Sequence, residues 1–230
     1  MEEQSKKFYC IQQMDERAEL YIFGDIVEEK WFEEETSPTS IMQAIKGIDK
    51  PLIDVYIDSY GGSVSAGWAI YNELKNHPAK IRTYGTGFVA SAALYPFLAG
   101  DERYASNVSA YFLHEVQTSA WGNSGALRAA AEDADKFTAI GVNAFTERTG
   151  MSKETVLQLM QAETWLTPEE ALSYGIATAI VQDKGSGILQ SVKKEILKTL
   201  LISQREEKKI EEPEEAGKSL MQLITGYFNA

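Results

Sequence analysis

Residues 18–26, AELYIFGDI, and 52–59, LIDVYIDS, gather β-branched and aromatic side chains into short runs that close on Asp, Ser or a nearby Gly, which predicts strands. Between them SPTSIMQAIKGI (37–48) places Ile41, Ala44, Ile45 and Ile48 at helical spacing behind Ser37 or Thr39 as a cap. SAGWAIYNELKNHP (65–78) does the same with Ala66, Ala69, Ile70 and Leu74, and stops before Pro78. KIRTYGTGF (80–88) then predicts a strand, VASAALYPFLAG (89–100) a short apolar helix, and ERYASNVSAYFLH (102–114) one or two strands. Strand and helix in alternation imply an α/β fold with a mostly parallel sheet covered by helices.

Beyond His114 the period changes. SGALRAAAEDADKFTAIGVNAFTERTG (124–150) is one long helical pattern whose stripe of Leu127, Ala131, Ala134, Phe137, Ile140, Ala144 and Phe145 ends at Gly150. A shorter helix, SKETVLQLMQAE (152–163), is capped by Ser152, and TPEEALSYG (167–175) runs from a Thr167 cap to a Gly175 stop. Residues 188–202 form an amphipathic segment, and Gln204 to Lys218 are nearly all charge with Pro and Gly, the composition of a solvated linker. An apolar end, SLMQLITGYFN (219–229), follows. No internal repeat is present.

Charge and composition remove several classes of function. The 230 residues carry 22 basic and 34 acidic side chains, net −12, so a phosphate backbone or an anionic membrane surface is repelled and neither nucleic acid nor membrane is expected as a partner. With 44% hydrophobic residues the chain can bury one full core. No run of about 18 apolar residues suggests a membrane span, and the first 19 residues lack the apolar stretch of a signal peptide, so the expectation is a soluble, cytoplasmic protein. Cys10, the one cysteine, excludes an internal disulfide and a multi-thiolate metal site; it sits near a loose terminus, far in sequence from either histidine. No metal or cofactor is expected.

Three features carry chemistry. Ser91 lies inside TGFVASAALYPFLAGDE (86–102), a run of small and apolar residues in which a hydroxyl needs a reason. Of the two histidines, His77 stands beside Pro78 among solvated charges and reads as surface, whereas His114 ends the apolar strand SAYFLH, where functional groups gather in α/β proteins. DSYGGSVSAG (58–67) puts paired glycines between a strand and a helix, a turn whose backbone N–H groups suit developing negative charge. A phosphate would fit the same turn, but no Gly-Lys-Ser/Thr or GxGxxG pattern accompanies it. A serine needs a base to take its proton and donors for the oxyanion it creates, and these three segments supply those parts.

The set DSYGGSVSAG, GFVASAAL, FLHEV before a long helix, and WLTPEEALSYGIA resembles the Clp protease proteolytic subunit family. Its opening, ELYIFGDIVEEKWFEEETSPTSIMQAI, is similar to the phage and prophage branch of Clp-like head maturation proteases. The resemblance covers about residues 18 to 183. It implies the Clp protease/crotonase-like fold, with repeated β-β-α units and a protruding handle helix. The chain then divides into an N-terminal segment (1–17), a protease domain (18–183) and a C-terminal extension (184–230).

Carried over by motif, Ser91 in GxxAS is the expected nucleophile, His114 the base, and the amides of Gly62 and Ala92 the oxyanion hole. Gly61, Ser63, Val64 and Val116 are the expected substrate-binding positions. Glu163 is the expected orienting acid, since the helix TVLQLMQAE ends there with no aspartate before TWLTPEEA. A second departure is Tyr60, where the family usually carries proline before the glycines. The family further implies two stacked seven-membered rings held by the long helix, unfolded or threaded polypeptide as substrate, capsid or scaffolding protein as targets within a viral prohead, and an AAA+ unfoldase as a possible partner. A cellular, ATP-dependent degradative peptidase is the alternative role. A crotonase-type thioester enzyme, which uses paired amides without a Ser–His pair, and a non-enzymatic ring scaffold are the rivals from other classes. A membrane signal-peptide peptidase with a Ser–Lys dyad is disfavoured, because Lys80 is not placed to act as base.

Overall fold

The computed structural model describes residues 9–26 and 38–181. The chain divides at Gln182/Asp183, and the expected amphipathic segment, charged linker and apolar end all lie outside the described residues. So do residues 27–37, the middle of the stretch that carries the phage-branch resemblance.

Among the described residues, eight strands build one mixed sheet: β1 (Tyr9–Gln13), β2 (Ala18–Ile26), β3 (Leu52–Gly62), β4 (Lys80–Ala90), β5 (Glu102–Ser106), β6 (Ala110–Leu113), β7 (Thr164–Leu166) and β8 (Ala179–Val181). Its main path runs β1-β2-β3-β4-β5-β8. All contacts along it are parallel except β1 on β2. Strand β4 forks: residues 82–85 pair with β5, residues 88–90 pair with β6, and β6 carries β7 antiparallel. The fork brings the end of β6 beside the end of β4, and that proximity makes the site.

Helices α1 (Pro38–Lys46), α2 (Val64–Asn76), α3 (Leu94–Leu98), α4 (Ser124–Thr149), α5 (Lys153–Gln161) and α6 (Pro168–Ser173) fall where the periodicity predicts. Their ends follow capping chemistry. Ser63, Asn123, Ser152 and Thr167 each accept a backbone N–H at the start of their helix, Thr167 within a reciprocal box with Glu170, and Gly150 closes α4 in the left-handed conformation. The strand face bearing Leu20, Ile22, Ile53, Val55 and Ile57 is fully buried, with Ile41, Ile45, Ile70, Leu74 and Phe97 from the helices in the same core.

The other face carries Tyr21, Tyr56, Tyr84 and Tyr104, which are register partners on four neighbouring strands and stack at 5.0, 4.8 and 5.0 Å between ring centroids. Beside them the buried Asp54 accepts a two-pronged bond from Arg82 at 2.6 and 2.7 Å. Buried Arg103 donates to the carbonyls of Gly100, Arg148, Gly175 and Ile176, and so ties the last turn of α4 to the segments that follow α3 and α6.

Three elements differ from the sequence expectation. The N-terminal segment is not loose throughout: β1 adds to the sheet edge, and Cys10 sits half-buried within it. Strands β7 and β8, of three residues each, were not expected. Strands this short are fixed by their partners rather than by a pattern of their own.

Candidate active site

Strand β4 ends at Ala90, and the chain turns at once into a single 3-10 turn, Ser91–Ala93, that leads into α3. The turn holds Ser91 at φ +54°, a conformation non-glycine residues seldom adopt. Its close partner is the glycine turn at the end of β3. A Cβ on Gly61 would stand 2.6 Å from the Ala90 carbonyl oxygen and 2.8 Å from the Ala92 nitrogen, and one on Gly67 2.7 Å from the Ala92 carbonyl oxygen. Only hydrogen at these positions allows α2 and the β3 turn to close on the Ser91 segment. Gly62, at φ +133°, is packed as tightly on the far side, against Ile26, yet is exposed toward solvent.

His114 follows the last residue of β6. Its Nε2 lies 2.7 Å from Ser91 Oγ. For the serine O–H to donate to Nε2, the proton of a neutral imidazole must be on Nδ1. Nδ1 is buried and has no hydrogen-bond partner. The ring is held instead by stacking: Phe112 lies 5.4 Å from it at 29°, and Trp165 of β7 lies 4.6 Å from Phe112 at 25°. Past His114 the chain is anchored to α4 by the Val116 N–H, which donates to Thr138 Oγ1 at 3.0 Å.

A pocket opens beside the pair. Val64, Ser91, Ala92, His114 and Val116 line it, with Leu113, Phe145 and Met160 among the apolar side chains of its wall. Of the positions expected at the site, Ser91 and His114 are therefore in direct contact, Ala92, Val64 and Val116 share their pocket, and Gly61 packs on the Ser91 turn. Ser63 serves as the α2 cap. Glu163 is placed just after α5, exposed, at φ +48°, with its N–H donating to the Met160 carbonyl, and makes no hydrogen bond to His114 Nδ1. His77 has a structural role: Nδ1 accepts from the Ala79 N–H and Nε2 contacts the Ile48 carbonyl, both at 3.1 Å. No grouping of His, Cys, Asp and Glu fit for a metal ion occurs among the described residues, and no helix there is long and apolar enough to cross a membrane. Sequence reasoning missed Phe112 and Trp165 beside the histidine. The apolar run before His114 contained Phe112, but nothing local showed that Trp165 would pair across from it.

Ser91 thus carries a hydroxyl on a strained turn, in contact with an imidazole and packed against a glycine turn. The chain belongs to the Clp protease family: its model matches residues 5–184. ATP-dependent Clp protease proteolytic subunit 2 of Corynebacterium efficiens is 31% identical over 131 residues, 56% of this chain and 66% of the relative. Subunit 3 of Streptomyces coelicolor is 33% identical over 133 residues, 56% of this chain and 61% of the relative. Subunit 2 of Treponema pallidum is 31% identical over 140 residues, covering 60% and 69%. The match thus spans just under two thirds of the length of the first two of these relatives. A solved structure, a mutant of ClpP1 from Listeria monocytogenes, aligns with a TM-score of 0.61 at 24% identity over 72% of this chain and 92% of its own, which fixes the shared fold.

Proposed function

We propose that the chain is a serine endopeptidase acting on unfolded polypeptide inside a ring-shaped homo-oligomer. The observation that carries the reading is the 2.7 Å contact between Ser91 Oγ and His114 Nε2. Ser91 Oγ attacks the scissile carbonyl carbon while its proton passes to Nε2, and the oxyanion accepts from the N–H groups of Gly62 and Ala92. Collapse of the tetrahedral adduct breaks the C–N bond, Nε2 returns the proton to the leaving amine, and water releases the acyl group by the same steps in reverse. Glu163 is the orienting acid in this scheme, reaching Nδ1 once the segment after α5 adjusts.

The biological role proposed first is maturation of a phage or prophage capsid, supported by the opening segment's resemblance to that branch. A cellular degradative role with an AAA+ unfoldase is the second reading, supported by the relatives' description as ATP-dependent proteolytic subunits. A fluorophosphonate probe on the purified chain tests the chemistry: it should label Ser91, and Ser91→Ala and His114→Ala should each lower peptide turnover by about a thousandfold or more. Turnover at the wild-type rate by either variant would overturn the assignment. Degradation of a folded protein only when ATP and an unfoldase are added would favour the second role over the first.

A further inference from the structure

The Ser91–His114 pair is bordered on one side by the pocket of Val64, Leu113 and Met160. On the other, the His114 ring is the end of an unbroken series of aromatic side chains. Phe112 stacks on His114, Trp165 on Phe112, Phe88 meets Trp165 edge-on at 5.5 Å, and Tyr60 stacks on Phe88 at 4.8 Å. Neighbouring side chains on a strand point to opposite faces, so Leu113 of β6 lines the pocket while Phe112 turns to the other side, with His114 at the junction.

The series is a surface rather than core. Tyr60 is 61% exposed, Trp165 48% and Phe88 39%. Large aromatic side chains left in contact with water and with one another cost hydration free energy that a soluble domain ordinarily avoids, and such strips mark contact sites. It is also built. The Phe88 N–H donates to Asp58 Oδ1 at 3.0 Å, and the pairing of β6 with β7 puts Phe112 opposite Trp165. Its two ends define what reaches it: one is the catalytic imidazole, and the other, Tyr60, immediately precedes the Gly61–Gly62 turn. The strip thus runs from the imidazole that touches Ser91 Oγ to the residue before the turn that packs on Ser91.

We infer that Tyr60, Phe88, Trp165 and Phe112 form a specificity strip that receives a large apolar, preferably aromatic, substrate side chain adjacent to the scissile bond, on the side away from the Val64 pocket. The inference rests on the proposed peptidase activity. The rings offer faces and edges to an aromatic partner, whereas an alanine at that substrate position leaves them wet and a charged one must shed its water without compensation.

The test uses the full chain and two internally quenched peptides that differ only in having phenylalanine or alanine next to the cleaved bond, with cleavage points fixed by mass spectrometry. Wild-type protein should show a KM about tenfold lower for the phenylalanine peptide. Phe88→Ser and Tyr60→Ser should remove that preference by raising KM for the phenylalanine peptide to that of the alanine peptide, with Ser91 still labelled by the fluorophosphonate. Phe88→Tyr should restore it. A preference unchanged in both serine variants would overturn the strip while leaving the peptidase reading intact, and an unlabelled, inactive wild-type chain would instead remove the peptidase reading itself. Light scattering on the same variants gives the remaining outcome: loss of assembly would show that a second copy of the chain covers the strip, which also overturns the inference.

Discussion

Ser91 and Glu163 are the two non-glycine residues with positive φ among those described, at +54° and +48°. Strain of this kind persists where surrounding structure enforces it, and at Ser91 the enforcing contacts are those of the glycine turn. The coincidence at Glu163 motivates the expectation that it serves the same reaction, by accepting the proton-bearing Nδ1 that is otherwise buried without a partner. Glu163→Gln should then lower kcat by about ten- to a thousandfold, less than Ser91→Ala, with KM little changed, because an amide orients the imidazole but does not stabilise its charged form. Steady-state kinetics on the two variants checks this, and an unchanged kcat would leave a Ser–His dyad. Gly62 gives a sharper expectation. A Cβ there would lie 2.3 Å from the Ile26 carbonyl oxygen on a backbone at φ +133°, so Gly62→Ala should both lower the unfolding free energy, by about 2 kcal/mol, and abolish labelling of Ser91. Denaturant unfolding and the probe read these separately.

At the scale of elements, the helices and strands β2 to β6 were legible because their signals are local: apolar spacing, Ser or Thr at a cap, glycine at a stop. Ser91 and His114 were legible as motif positions. What could not be read depended on register. Strands β1, β7 and β8 exist through their partners, and the aromatic strip joins Tyr60, Phe88, Phe112 and Trp165 only once β4 forks and β6 takes up β7. The four stacked tyrosines were visible singly, one to a strand, but not as a ladder. They carry a pH prediction. Burial first, then the Asp54 carboxylate, pushes Tyr84 up to about 12, and burial raises Tyr56 and Tyr21 in the same direction. A raised folded-state value means stability is fully present below the unfolded tyrosine value, about 10, and is lost as pH rises through about 12. Urea midpoints should therefore hold up to about pH 10 and fall beyond it, and Tyr84→Phe should make the fall shallower. The Arg103 clamp makes a parallel case without titration: Arg103→Met leaves the carbonyls of Gly100, Arg148, Gly175 and Ile176 without that donor in the interior and should cost about 3 kcal/mol. Urea unfolding measures that cost directly.

For the whole molecule the decisive element is α4. Its 26 residues outrun every other described helix, and its buried positions, Thr138, Gly141, Val142 and Phe145, cluster in the second half. Leu127, Phe137 and Ile140 are left 46, 46 and 50% exposed. Apolar side chains on a helix that the chain's own core covers only in part are expected to find cover in another copy, which is the contact proposed to stack one ring on another. Charged replacements at both Phe137 and Ile140 should then split the assembly, since an unpaired charge in an apolar contact costs several kcal/mol per copy, on the order of the whole contact when repeated around a ring. The Ser–His geometry lies within one chain, so the separated species should still take the fluorophosphonate label at Ser91. Its peptide turnover should fall if assembly aligns the segment bearing Glu163. Deleting everything after Asp183, a stretch whose charged portion has the composition of a solvated linker, should leave the assembly intact. Sedimentation and light scattering on the two proteins distinguish the possibilities: a stable, fully active wild-type monomer would remove the ring altogether, and ring loss on tail deletion with the α4 variant still assembled would move the contact from the helix to the C-terminal extension.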